Sequence, residues 1–289
     1  MSSGSVLRSS ENRRSIRMPR TQLRGIAIGF IGAGTMGRAL IKGLRRDGVS
    51  ARALAAADSS ASARRDVARR YRVWTTGDAA ALVRRSEVVI LAVKPQQFPD
   101  VVRRIAPHLT RTHLVISIAA GVTLKWLKAR LPRIPVVRVM PNLPATVGCG
   151  FAGIAAGQGT TRRHRDVALA IFSSVGTVVE LPERQLNALT AVSGSGPAYV
   201  FFLVEALERA ARTLGLPAPV ASAAVRRTLE GSARLLAAAD VLPAELIRRV
   251  ASKRGTTEAA LKVLARRRVA AHVIEALRAA ANRARELSV

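Results

Sequence analysis

The sequence predicts an α/β protein in which a parallel sheet covered by helices on both faces is followed by an all-α domain. Three observations carry that expectation. From residue 24 to about residue 182, apolar runs of strand length alternate with helix-like stretches, the pattern of a parallel sheet joined by helical crossovers. The run 88–93 is apolar nearly throughout, as burial on both faces of a sheet requires. After residue 182 the strand signals stop, and only segments of helical period remain.

The first strand is expected over 26–31, Ile-Ala-Ile-Gly-Phe-Ile. A helix over 38–46 follows, with Ala39, Leu40, Ile41 and Leu44 at helical spacing. Further strands are expected over 51–57, 88–93, 114–118, 136–139 and 177–181, and helices over 61–70, 78–85, 98–105 and 124–129. In the second half, 186–214, 219–239, 244–252 and 257–287 read as helices, with Pro217, Pro219 and Pro243 where a helix start tolerates a missing N–H. These helices are too rich in Ala, Leu and Val for a small isolated bundle, so a homodimer, or a larger ring of such dimers, is expected to bury the excess. The domains are then 24–182 and 183–289, preceded by a Ser/Arg-rich stretch, 1–23, expected to be a disordered basic tail rather than a secretory leader.

Composition narrows the classes. The chain has 289 residues, 49% of them hydrophobic, which fills a sizeable core and excludes disordered, collagen-like and coiled-coil classes. Cys149 is the single cysteine, so neither a disulfide framework nor a cysteine-based zinc site is available. The histidines, at 108, 113, 164 and 272, have no metal-ligand spacing, and no metal is expected. Lys plus Arg is 47 against 18 acidic residues, a net charge of +29. The basic residues are dispersed (Arg64-Arg65, Arg84-Arg85, Arg103-Arg104 and Arg266-Arg267-Arg268 are typical), which reads as a solvated surface that steers anionic metabolites. With aromatics at only 3%, no stacking surface for specific nucleic-acid binding is expected. The charge-free stretches 139–161 and 185–204 are interrupted by proline, glycine and polar residues, so no membrane span is expected and the location is read as cytoplasmic.

The motif that carries chemistry follows the first strand. Gly32-x-Gly34-x-x-Gly37, in a strand–turn–helix setting, is the dinucleotide fingerprint of a Rossmann-type domain. Gly32 allows the tight turn, Gly34 admits a pyrophosphate to the backbone, and Gly37 lets the helix pack close to the strand. Ile31, Ala33, Thr35 and Met36 complete the loop and offer N–H groups at the helix start. Asp58 ends the second strand, where a carboxylate would bond the ribose of NAD. Ser59, Ser60, Arg64 and Arg65 follow at once, and they suit the 2′-phosphate of NADP. The balance is read as NADP, with NAD the alternative. Ala92-Val93-Lys94-Pro95 closes the strand 88–93, and 117–122, including Ala119 and Ala120, closes the next; both should face the cofactor at the carboxyl ends of the sheet. Lys94 is either an exposed strand-end lysine or a positive group near the substrate. Asn142, between Pro141 and Pro144, either bonds a ligand or closes an Asx turn.

Together these residues resemble the pyrroline-5-carboxylate reductase family. The resemblance runs from Gly29 to about Leu287, through Gly29-Phe30-Ile31-Gly32-Ala33-Gly34, Ala92-Val93-Lys94-Pro95-Gln96 and Met140-Pro141-Asn142-Leu143-Pro144-Ala145. Its most specific segment is Leu189-Thr190-Ala191-Val192-Ser193-Gly194-Ser195-Gly196-Pro197-Ala198-Tyr199-Val200. It implies an oxidoreductase, a Rossmann domain followed by a helical dimerisation domain, and NAD(P)H-dependent reduction of a small anionic imine, 1-pyrroline-5-carboxylate, to L-proline in the last step of proline biosynthesis. The family's substrate loop, Ser-Pro-Gly-Gly-Thr-Thr, corresponds to Ser252-Lys253-Arg254-Gly255-Thr256-Thr257. By resemblance, Ser252, Gly255 and Thr256 cradle the substrate carboxylate at a helix start. The Thr257 hydroxyl is the catalytic contact to the ring nitrogen, and Asp240 falls where the family has a glutamate near the substrate. Lys253 and Arg254 depart from the pattern; a left-handed backbone at Arg254 would cost about 1–3 kcal/mol. Two other readings stay open: a reductase of this architecture acting on another small cyclic imine or oxo-acid, motivated by Lys253-Arg254, and a non-enzymatic basic nucleic-acid-binding protein, motivated by the charge.

Overall fold

Apolar side chains on both sides of the central strands drive the first architecture. In the computed structural model, which describes residues 23–288, the strands are β1 (Ile28–Ile31), β2 (Leu54–Ala57), β3 (Trp74–Thr76), β4 (Val88–Leu91), β5 (Leu114–Ser117), β6 (Val136–Met140), β7 (Gly150–Ala156) and β8 (Gly176–Glu180). They form one sheet in the order β3-β2-β1-β4-β5-β6-β7-β8. Alternate residues supply two cores: Ile28, Phe30, Val88 and Ile90 face one side, and Ile31, Val89 and Leu91 the other. Helices α1 (Thr35–Arg46), α2 (Ala61–Tyr71) and α6 (Arg162–Ser173) cover the first core; α3 (Ala79–Arg84), α4 (Phe98–Ile105) and α5 (Leu124–Arg130) cover the second. The chain reverses direction across the sheet between β1 and β4, so their carboxyl ends flank the crevice where such sheets bind ligands.

Several expectations need correction. The sheet is not wholly parallel, because β7 pairs antiparallel with β6. The sequence reading missed β3, β7 and α6, and 51–57 divides into a 3₁₀ turn, Ala51–Ala53, followed by β2. The helix expected over 186–214 is α7 (Leu186–Leu189), a π-helical turn (Thr190–Gly194) and α8 (Gly196–Thr213). The helix expected over 257–287 is α11 (Thr256–Arg266) and α12 (Val269–Glu286), broken where Arg268 turns left-handed at φ 53°. The expected tail lies outside the described residues except for Leu23, which is buried in the first core.

The chain divides into two compact units, 1–194 with 281–289, and 195–280. The second unit holds α8, α9 (Ala218–Ala238), α10 (Pro243–Val250), α11 and most of α12. Among its described residues only Ala221 is buried. Phe201 and Phe202 are 60% and 73% exposed, and Leu235, Val250 and Ile274 are also open. Glu208 holds α8 to α9 by accepting from the Ser222 hydroxyl at 2.9 Å and from Arg226. The continuous helical run Glu183–Thr213 reaches a mean hydropathy of 1.2 and is long and apolar enough to cross a bilayer. That differs from the expectation for 185–204, because its Ser, Thr and Gly residues bend the helix into a π-turn without ending it.

Candidate functional site

The glycine-rich turn between β1 and α1 has a geometry only glycine permits. Gly32 sits at φ +106°, and a Cβ there would lie 2.6 Å from the Ala92 carbonyl oxygen. Gly34 caps α1 with no side-chain hydrogen bond, and the first turn carries no acidic residue. A Cβ at Gly34 would meet nothing within 4 Å, so the backbone there is open to a phosphate-sized group. Unclaimed N–H groups at a helix start form an anion site. The turn therefore fits the pyrophosphate of a dinucleotide.

A cleft of about 700 Å³ opens beside this turn, within the range of small-ligand sites. It gathers Ile31, Gly32 and Gly34 with Asp58 and Ser59 at the end of β2, and with Ala92, Val93 and Lys94 at the end of β4. Other residues singled out in the sequence do not line it. The Ala33 N–H is spent on Asp58, Thr35 is exposed, Met36 packs against the first core, and Gly37 is buried under the Gly32 carbonyl. Ser60 caps α2 through the Ala63 N–H, Pro95 opens a 3₁₀ turn, Ala119 is buried, and Ala120 is exposed beyond β5. The sequence reading missed Gly77, Asp78, Gln97 and Arg104, which also line the cleft. The first two follow β3, and recognising that strand would have placed them at the same edge.

Asp58 is committed at both oxygens. Oδ2 accepts the Ala33 N–H at 2.7 Å, and Oδ1 accepts the Ser60 N–H at 2.8 Å. The carboxylate thus ties the glycine turn to the end of β2. Beside it, Arg64 Nη1 donates to the carbonyls of Asp58 (2.7 Å) and Ser59 (3.0 Å). Its Nε and Nη2 have no partner among the described residues, so a fixed guanidinium stands at this corner.

Asn142 does not close an Asx turn. Its Oδ1 accepts the Phe151 N–H at 2.8 Å, and its Nδ2 donates to Ser193 Oγ at 3.0 Å, joining the loop after β6 to the π-turn. Lys94 is exposed, and its backbone N–H donates to Gln97 Oε1 at 3.2 Å.

In the second unit, the segment 252–257 runs into α11. Ser252 closes the turn by accepting the Gly255 N–H on its carbonyl at 3.0 Å, and Thr256 and Thr257 occupy the first two helical positions after the cap Gly255. Thr257 is half-buried, while Ser252, Lys253 and Arg254 are exposed. Arg254 is left-handed at φ 61°, and its N–H donates to Glu258. Lys262 Nζ approaches Glu258 at 2.6 Å; with the Arg254 N–H it holds the Glu258 carboxyl below the usual carboxylate range. Because that pKa is depressed, the brace is present at neutral pH and is lost only on acidification through the lowered value. Asp240 is exposed in the turn between α9 and α10.

Comparison with known proteins places this geometry. The family model described as pyrroline-5-carboxylate reductase dimerisation matches residues 183–287. The model described as NADP oxidoreductase, coenzyme F420-dependent, matches 27–121. A pyrroline-5-carboxylate reductase of Pseudomonas aeruginosa is 42% identical over 264 residues, spanning 90% of this chain and 96% of its own. The structure of a pyrroline-5-carboxylate reductase from Coxiella burnetii superposes with a TM-score of 0.86 at 36% identity, over 91% of this chain and 99% of its own. Plasmodium falciparum pyrroline carboxylate reductase with NADP bound superposes at 0.82 and 27% identity, over 92% and 99%.

Proposed function

This chain belongs to the pyrroline-5-carboxylate reductase family of NAD(P)-dependent oxidoreductases, and from that premise we propose how its own residues reduce 1-pyrroline-5-carboxylate to proline, the closing step of proline biosynthesis. The observation that carries the reading is the presence, on one chain aligned over 90% of its length with such a reductase, of both the open glycine turn and the segment Ser252–Thr257. When bound, the reduced nicotinamide cofactor supplies the hydride. The first-turn N–H groups of α1 hold its pyrophosphate, and Gly34 leaves them accessible. Ser59 and the spare donors of Arg64 would hold a 2′-phosphate, beside an Asp58 carboxylate whose two oxygens already each accept a backbone N–H. That supports NADP as the preferred form.

Ser252, Gly255 and Thr256 hold the substrate carboxylate at the start of α11, where the helix dipole favours an anion. Thr257 orients the imine nitrogen and keeps its proton in place, and Asp240 stands at the family's glutamate position. A protonated imine that accepts a hydride at carbon becomes a neutral amine, so no strong acid or base is required. Positioning and charge complementarity are the chain's contribution. The left-handed φ of Arg254 supports this substrate over a different imine, because the loop keeps the backbone a glycine would take.

Steady-state oxidation of NADPH and NADH with pyrroline-5-carboxylate tests the reading. NADPH should give the higher kcat/KM, and the six-membered homologue should be poorer. Arg254→Gly should keep the activity and raise stability by up to about 1 kcal/mol, since glycine carries no penalty in that region. No turnover with either cofactor would end the proposal.

The exposed apolar face of α8, including Phe201 and Phe202, and the dimerisation-family match support a homodimer; larger rings of such dimers and a cytoplasmic location belong to the same proposal. Light scattering should return at least twice the 30.8 kDa chain mass; a monomer at micromolar concentration would remove this part.

A further inference from the structure

Asn142 and Ser193 form a polar bridge at the end of the sheet. Asn142 is the second residue after β6, and β1, β4, β5 and β6 run parallel, so it projects from the ligand edge of the sheet. Its Oδ1 accepts from the Phe151 N–H, a group that can only donate. That bond fixes which end of the amide is which and leaves Nδ2 donating to Ser193 Oγ. The Ser193 hydroxyl proton is therefore not turned toward Asn142, and no acceptor among the described residues takes it. Ser193 is half-buried within the π-turn Thr190–Gly194, a distortion that occurs frequently at functional sites. The turn is pinned on either side of it: Thr190 Oγ donates to the Leu186 carbonyl at 2.7 Å, and Met140 Cε lies where a Cβ on Gly194 would fall, 2.7 Å away. A polar group is thus held at the sheet edge with one donor unspent.

A dinucleotide on a doubly wound sheet lies across the strand ends, with its two halves on opposite sides of the switch point. The corner at Asp58, Ser59 and Arg64 lies on the β2 side, which leaves the β4–β6 side for the nicotinamide half. We propose that Ser193, oriented by Asn142, donates its hydroxyl proton to the carboxamide oxygen of the cofactor's nicotinamide group, with Asn142 acting as a positioning residue. This rests on the reductase reading and deepens it.

The test is equilibrium titration of NADPH and of 2′-phospho-ADP-ribose, which lacks the nicotinamide ring, against the wild-type chain and three variants. Ser193→Ala removes the donor. Asn142→Asp still accepts from Phe151 but also accepts from Ser193, turning the hydroxyl proton inward; Ser193→Thr keeps the donor. Ser193→Ala and Asn142→Asp should each weaken NADPH by about five- to tenfold, the worth of one hydrogen bond. Neither should change binding of 2′-phospho-ADP-ribose, and Ser193→Thr should bind both like wild type. Should Ser193→Ala fail to fold, Asn142→Asp alone decides. Equal losses for both ligands, or none for NADPH, overturn the inference. Wild-type protein that binds no NADPH overturns the reductase reading together with it, whereas normal wild-type binding beside indifferent variants overturns this inference alone.

Discussion

Thr257→Val should lower kcat/KM for pyrroline-5-carboxylate by about 10- to 1000-fold while leaving the protein folded. Valine matches threonine in shape and β-branching, and the two have similar helix propensities, so the first turn of α11 keeps its backbone. What disappears is one hydroxyl on a half-buried side chain beside the segment assigned to the substrate carboxylate. As hydride reaches the imine carbon, the nitrogen changes from a positively charged, planar centre to an amine. The Thr257 O–H can donate to the lone pair that forms on nitrogen, a bond the protonated imine cannot accept, so the hydroxyl stabilises the transition state more than the bound substrate. The loss should therefore fall on kcat as well as on KM, and Thr257→Ser should recover most of the rate. A rise in KM alone would reduce Thr257 to a binding contact, and unchanged kinetics would remove it from the mechanism.

Legibility in the sequence followed the range of the forces involved. Strands β1, β4 and β5 could be read because burial on both faces leaves them no polar alternation. β3 has only three residues and an edge position with Trp74 38% exposed, and β7, Gly-Phe-Ala-Gly-Ile-Ala-Ala, is built of small residues that read as loop. α6 opens on Arg162-Arg163-His164-Arg165, which looks like a solvated turn until Thr161 and His164 are seen to cap it. No glycine or proline marks the break at Arg268, so the helical period reads straight through it. The glycine turn was legible because its constraint is local and steric. The partner of Asn142 was not, because it lies 51 residues away and depends on a helix distortion that leaves the apolar period intact.

A second large effect is expected where the sheet meets the start of the helical half. Glu183→Ala should destabilise the fold by about 3–5 kcal/mol, the usual result of stripping a buried charge of its partner. Arg138 lies inside β6, only 3% exposed, between Ser117 on β5 and Ala155 on β7. Glu183 Oε1 accepts from Arg138 Nη1 at 2.9 Å and from the Leu124 N–H at 2.7 Å. One oxygen therefore neutralises a guanidinium taken out of water and caps the first turn of α5. Alanine leaves both donors unsatisfied, and nearby side chains are too apolar to replace it: Leu124 and Leu186 are buried in the same core. At roughly 2–4 °C per kcal/mol, the melting temperature should fall by about 6–20 °C. Glu183→Gln keeps an acceptor and should lose less. Arg138→Met in the Glu183→Ala background should recover much of the loss, since removing both charges costs less than orphaning one. A Glu183→Ala protein that melts within about 2 °C of wild type would mean that water reaches the guanidinium, and the link would then carry no stability.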